Sequence, residues 1–120
     1  MIIVDVSMLE SIRKCLSNKS YQVEVKSKIR GISGIVHEFT MCIMKNNVRI
    51  AYLDTVVDSE GLLLSYCKAI DLEKPVIIIA PMRQLKMYGF SSGTRIRNII
   101  ILSRENPDLL RALVDIIEKL

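Results

Sequence analysis

The sequence predicts one mixed α/β domain over residues 1–120, built on a single β-sheet with helices on both faces. Three observations carry that expectation. Two short runs dense in β-branched residues, VIII at 76–79 and NIIIL at 98–102, have the apolar character of strands covered on both sides. Two longer β-like segments, Ile35–Met44 and Val48–Val57, are separated only by Lys45-Asn46-Asn47. Asparagine tolerates the left-handed backbone of a tight turn, so these segments read as a hairpin. Apolar residues at helical spacing recur before, between and after the strands. With 120 residues, half of them apolar, the chain can build one core and is too apolar to be disordered.

The elements follow in order. Ser7-Met8-Leu9-Glu10 reads as a capping box opening a helix with Leu9, Ile12 and Leu16 on one stripe, ended by Asn18 and Ser20. Tyr21 to Lys26 alternates, Val23 and Val25 against Gln22, Glu24 and Lys26, as a half-buried strand does. After the hairpin, Asp58 reads as the N-cap of a helix through Leu62, Leu63, Tyr66, Cys67 and Ile70, broken at Lys74-Pro75. Pro81 starts a short helix (Met82, Leu85, Tyr88) that Gly89 ends, and Gly93 to Arg97 leads into the second covered strand. Asn106-Pro107 gives an N-cap with proline at the first helical position, and Leu109, Leu113, Ile116, Ile117 and Leu120 stripe the last helix. The order is α-β-β-β-α-β-α-β-α. An antiparallel meander followed by crossovers makes a mixed sheet.

No apolar run approaches the roughly 20 residues that cross a bilayer. MIIVDVS lacks the basic start and long apolar stretch of a secretory leader. The expectation is a cytoplasmic protein with no membrane partner. Cys15, Cys42 and Cys67 are odd in number, widely spaced and in no metal-binding pattern, so they read as buried free thiols.

The net charge of +4 is unevenly spread. From Lys74 to Arg104 there is no acid among six cations, and from Arg13 to Arg30 there are six cations and one acid, Glu24. Such asymmetry suits an anionic partner, and a nucleic-acid backbone in particular. Lys26, Lys28, Arg30, Arg95 and Arg97 are the candidate phosphate contacts. Gly31, Ser33 and Gly34 add a small-residue loop whose amides could approach a phosphate, although it lacks P-loop spacing and precedes a strand. The aromatic residues do not interleave with the cations, which argues against a stacking platform. His37 alternates with Ile35, Phe39 and Met41, so it reads as structural, and no serine or cysteine pairs with it by spacing.

The element order, together with the words GISGIVHEF (31–39), YCKAID (66–71) and PVIIIAP (75–81), resembles the restriction-endonuclease-like PD-(D/E)xK superfamily, and within it the small archaeal and Mrr-like members. That resemblance implies a metal-dependent nuclease site. An Asp stands in the first hairpin strand and an Asp or Glu, any residue, then Lys in the second; the carboxylates hold Mg²⁺ and the lysine helps activate water. The matching positions here are Thr40 and Asp54-Thr55-Val56, so two of the three groups are missing. No Lys or Arg lies between Arg49 and Lys68 to replace the lysine.

The expectation is therefore a catalytically degenerate, nuclease-like domain that binds nucleic acid, DNA in the first place, in a regulatory or accessory role. It needs no cofactor. The alternative is a metal-dependent endonuclease using Mg²⁺ or Mn²⁺ at a rearranged site, with Glu38 and Asp54 as paired oxygen ligands and Glu10 as a third carboxylate. A third reading is a protein-interaction domain without nucleic acid. A homodimer fits all three, with the apolar C-terminal helix as one interface.

Overall fold

The computed structural model describes residues 6–120. Its elements are α1 (Val6–Asn18), β1 (Gln22–Arg30), β2 (Val36–Lys45), β3 (Val48–Thr55), α2 (Ser59–Ile70), β4 (Val76–Ala80), α3 (Met82–Met87), β5 (Arg95–Ile96), β6 (Ile99–Ser103) and α4 (Leu109–Glu118). They form one six-stranded sheet in the order β1-β2-β3-β4-β6-β5. The meander β1-β2-β3 is antiparallel, β3-β4 and β4-β6 are parallel, and β5 pairs antiparallel with β6 at the far edge. The mixed α/β sheet expected from the sequence is thus present, with the two-residue β5 as an additional strand.

All five residues of β4 and of β6 are buried, as two covered faces require. One face carries α1 and α4, with Ile12, Leu16, Leu53, Ile77, Leu102, Leu113 and Ile117 in one core. The other carries α2 and α3, with Phe39, Tyr52, Leu62, Ala69, Ile78, Leu85 and Ile101 in a second. Along β2 the alternation reverses at Thr40. Phe39 joins the α2 core, while Met41, two residues on, joins the α1/α4 core.

Several boundaries differ from the sequence expectation. Ser7 already lies inside α1, so it is not an N-cap, and the cap falls outside the described residues. Asn106 makes a side-chain turn, accepting from the Asp108 amide, and α4 starts only at Leu109. On α2 the buried positions are Leu62, Ser65 and Ala69, whereas Leu63, Cys67 and Ile70 face solvent. Of the three free thiols only Cys42 is buried, because Cys15 is half-buried and Cys67 exposed. Of the apolar stripe of α4, Leu109, Leu113 and Ile117 are buried in the core, Ile116 is partly buried against it and Leu120 is exposed.

The β2–β3 hairpin closes through Asn46 and Asn47, at φ 53° and 63°. Two consecutive left-handed residues make the turn type that matches strand twist. Asn47→Gly should therefore keep or raise the urea midpoint, and Asn47→Val should lose about 1 kcal/mol, read by equilibrium denaturation.

Candidate functional site

Asp54 lies near the end of β3, on the α2 side of the sheet, and is only 5% exposed. A carboxylate removed from water needs donors. Its Oδ1 accepts from the Thr40 amide at 2.9 Å and from Thr40 Oγ1 at 3.1 Å. Its Oδ2 accepts from Ser65 Oγ at 2.7 Å and is ion-paired with Lys68 Nζ at 2.7 Å. Thr40 Oγ1 in turn accepts from the Thr55 amide at 3.2 Å.

Local sequence explains how these groups meet. The Asp58 carboxylate caps α2 by accepting from the Gly61 amide at 2.7 Å, which fixes where the helix starts. Residues three apart then share a face, and Ser65 and Lys68 both turn to β3. Lys68 Nζ also donates to the Glu38 carbonyl at 2.7 Å and lies 4.5 Å from the centroid of the Phe39 ring. A pocket of about 240 Å³ opens beside this cluster, lined by Asp54, Val57, Asp58, Leu64, Lys68 and Arg104 among others. It lies where the parallel strands end, the usual position of ligand crevices in open α/β sheets.

The loop at residues 31–35 is the tip of the β1–β2 hairpin. It clamps the C-terminal end of α2. The Ile32 amide donates to the Asp71 carbonyl, the Ser33 amide to Asp71 Oδ1 at 2.9 Å, and Ser33 Oγ to Asp71 Oδ2 at 2.7 Å. His37 Nε2 lies 2.7 Å from the same oxygen. A Cβ on Gly31 would come within 2.0 Å of Asp71 Oδ2, so the glycine is required by this close approach. The Ser33 hydroxyl, then His37, then the Ser33 amide hold the Asp71 carboxyl below its ordinary value. Serine and histidine both contact the aspartate, so no serine–histidine–aspartate relay is formed.

The residues predicted from the sequence are scattered. Glu38 is exposed and serves Lys68 through its carbonyl, not its carboxylate. Glu10 pairs with Arg13 at 3.9 Å on the solvent side of α1. Among the described residues no group of three or more His, Cys, Asp or Glu side chains could hold a metal ion. Both oxygens of Asp54 are occupied by donors, one of them an ammonium, so this donor set suits a lysine and not Mg²⁺ or Mn²⁺. Lys26, Lys28 and Arg30 are exposed on edge strand β1, while Arg95 and Arg97 lie at the opposite edge, with β5. Five strand spacings, on the order of 24 Å, separate the two groups. The amides of Gly31, Ser33 and Gly34 all donate within the chain.

A further polar cluster is structural. Arg49 donates to Tyr52 Oη at 2.8 Å and to the Lys28 carbonyl at 3.1 Å, bracing β1 against β3. Burial pushes the neighbouring Cys42 thiol upward, which keeps it protonated and inert.

The sequence reading missed Ser65, Lys68 and Asp71. Lys68 brings an amine from α2 to Asp54 of β3. A polar Ser65 in register with Leu62 and Ala69 was the available signal, because it puts a hydroxyl on the buried face of the helix. No family model matches the chain, and no curated protein matches it.

Removing one partner of a buried pair leaves an uncompensated charge. Lys68→Met should lower unfolding stability by about 3 kcal/mol, and Asp54→Asn with Lys68→Met should be more stable than Lys68→Met alone, both measured by chemical denaturation. The Asp71 clamp predicts a pH signature. A carboxyl whose native pKa is depressed stabilises fully above its unfolded value, about 3.9, and loses that contribution as pH falls through the native value. Asp71→Asn should thus melt below the wild type at neutral pH, and the gap should close on acidification below about pH 4.

Proposed function

We propose that this chain is a nucleic-acid-binding domain of nuclease-like design whose centre has become a closed ion pair, and that it acts on DNA in a regulatory or accessory role. The observation that carries this reading is the pairing of Asp54 with Lys68 at 2.7 Å, opposite Thr40. Where the resemblance asks for two carboxylates, the site holds one carboxylate already neutralised by an amine. Binding falls chiefly to Lys26, Lys28 and Arg30 along the free β1 edge, with Arg95 and Arg97 as a separate, distant group. Contacts of this kind read the phosphate backbone and little of the base sequence.

A specific observation also favours a second reading, the metal-dependent nuclease. Lys68 supplies across space the amine that Val56 cannot, beside a carboxylate and a pocket. For that chemistry Lys68 must release Asp54, and Glu38 must bring its carboxylate in.

One experiment separates these readings. Labelled duplex DNA is titrated at several salt concentrations with and without Mn²⁺, and the same samples are run on a denaturing gel. The binding reading expects intact DNA and an affinity that falls steeply with salt. Lys28→Ala should make that slope shallower by about one. Metal-dependent cutting abolished by Asp54→Ala would establish the nuclease instead. Absence of binding at low salt would reject both and leave a protein-interaction domain.

A further inference from the structure

The tip of the β1–β2 hairpin carries an unusual surface for a loop. Ile32 is 68% exposed, Ile35 61% and Val36 51%. Single exposed apolar residues need no explanation, but three within five positions form a patch. The patch is held stiffly. The Gly31 amide donates to the Ile35 carbonyl, the Gly34 amide to the Gly31 carbonyl, and Ser33 is fixed to Asp71 by two hydrogen bonds. Arg30 Nη1 braces the turn by donating to the Gly34 carbonyl at 2.6 Å. The tip thus presents two isoleucines on a backbone that has little freedom to bury them.

Its surroundings are mixed but lean cationic. Lys28 and Arg30 are exposed on the same strand, and Lys74 lies on the rim of an adjoining cleft of about 550 Å³ formed by residues 29–32 and 71–75. Glu38, opposite Lys28, and Glu73, on the cleft rim, are the nearby acids, while the Asp71 carboxylate is consumed by the clamp. A rigid apolar wedge flanked by cations, beside an open cleft, matches the way proteins enter a nucleic acid where its stacking is broken. The cations hold the backbone, and the aliphatic side chains replace the lost base–base contact.

We propose that Ile32 and Ile35 form a wedge that recognises an unstacked step in a DNA duplex, as at a bulged nucleotide. This inference rests on the nucleic-acid reading above and adds the kind of DNA preferred.

The test compares the full chain on a perfect duplex and on the same duplex with one bulged nucleotide, with the fluorescent base 2-aminopurine placed beside the bulge. The expected result is about tenfold tighter binding to the bulged duplex, with 2-aminopurine brightening as it unstacks further. Ile32→Ser with Ile35→Ser should erase the preference while leaving affinity for the perfect duplex and its salt slope unchanged. Both side chains are exposed, and an unchanged melting temperature would verify that the variant is folded. Equal affinity of the wild type for the two duplexes would overturn the wedge and leave backbone binding standing. So would a variant weakened equally on both. No binding to either duplex at low salt would remove the nucleic-acid reading itself. If the double substitution instead turned a self-associated protein into a monomer without touching duplex preference, the tip would be an interface between copies.

Discussion

The burial of Asp54 constrains much of the molecule. A lone carboxylate inside a sheet protein is strongly unfavourable unless its oxygens are satisfied and its charge is countered. Here the donors come from two other elements. Thr40 of β2 gives an amide and a hydroxyl, and α2 gives the Ser65 hydroxyl and the Lys68 ammonium. The helix must hold one rotational setting for Ser65 and Lys68 to reach β3 together. The strand must also yield. Pairing between β2 and β3 runs from Met41↔Leu53 to Lys45↔Val48, and at Thr40 the amide turns instead to the Asp54 side chain. That is where the alternation of β2 reverses and sends Phe39 and Met41 to opposite cores. In β1, opposite this point, Lys26 takes a φ of 50°. A residue in that conformation interrupts an edge ladder, and a charged one there discourages pairing with another chain.

With its middle fixed by Asp54, α2 is also tied at both ends. Asp58 satisfies a first-turn amide. At the other end the Asn98 side-chain amide lies within hydrogen-bond distance of the Ala69, Leu72 and Lys74 carbonyls. Its two hydrogens can serve two of the three at a time. Asp71 then fastens the β1–β2 tip to the same end. The helix therefore links the sheet centre, the loop before β4 and the outer hairpin into one stiff unit. Its outward face, with Leu63, Leu64 and Ile70 exposed, takes no part in that linkage.

What the sequence revealed follows from how far apart the interacting residues lie. The Asn46-Asn47 turn, the Asp58 cap and the all-apolar β4 and β6 depend on neighbours a few positions away, and local chemistry was enough to read them. The pairing of Asp54 with Lys68 depends on a helix crossing a sheet, so no spacing rule along one strand could reach it. The Gly31 loop misleads for the same reason. Glycines beside cations suggest a phosphate cradle, yet the group that demands Gly31 is Asp71, delivered by the far end of α2. The two basic segments looked alike in composition. Topology divides them, because β4 and β6 lie between the meander and β5.

The charge arrangement at the centre has a consequence for any polyanion. Lys68 Nζ makes contacts with Asp54, the Glu38 carbonyl and the Phe39 ring, so its donors are directed inward. The pair is close to neutral seen from outside, and a phosphate entering the adjoining pocket would meet the opposed charges of Asp58 and Arg104 on its wall. Attraction at that point is weak, whereas the β1 edge presents exposed cations on a strand with no outer neighbour. The buried pair and the exposed cations of the β1 edge are thereby separated in space. Substitutions at Asp54 and Lys68 act on stability and on α2, whereas under the proposed nucleic-acid reading substitutions at Lys28 and Arg30 act on electrostatic capture. A protein in which both pairs changed affinity equally would require the centre to open first, with Lys68 leaving Asp54, and that opening is resisted by the bare buried carboxylate it would leave behind.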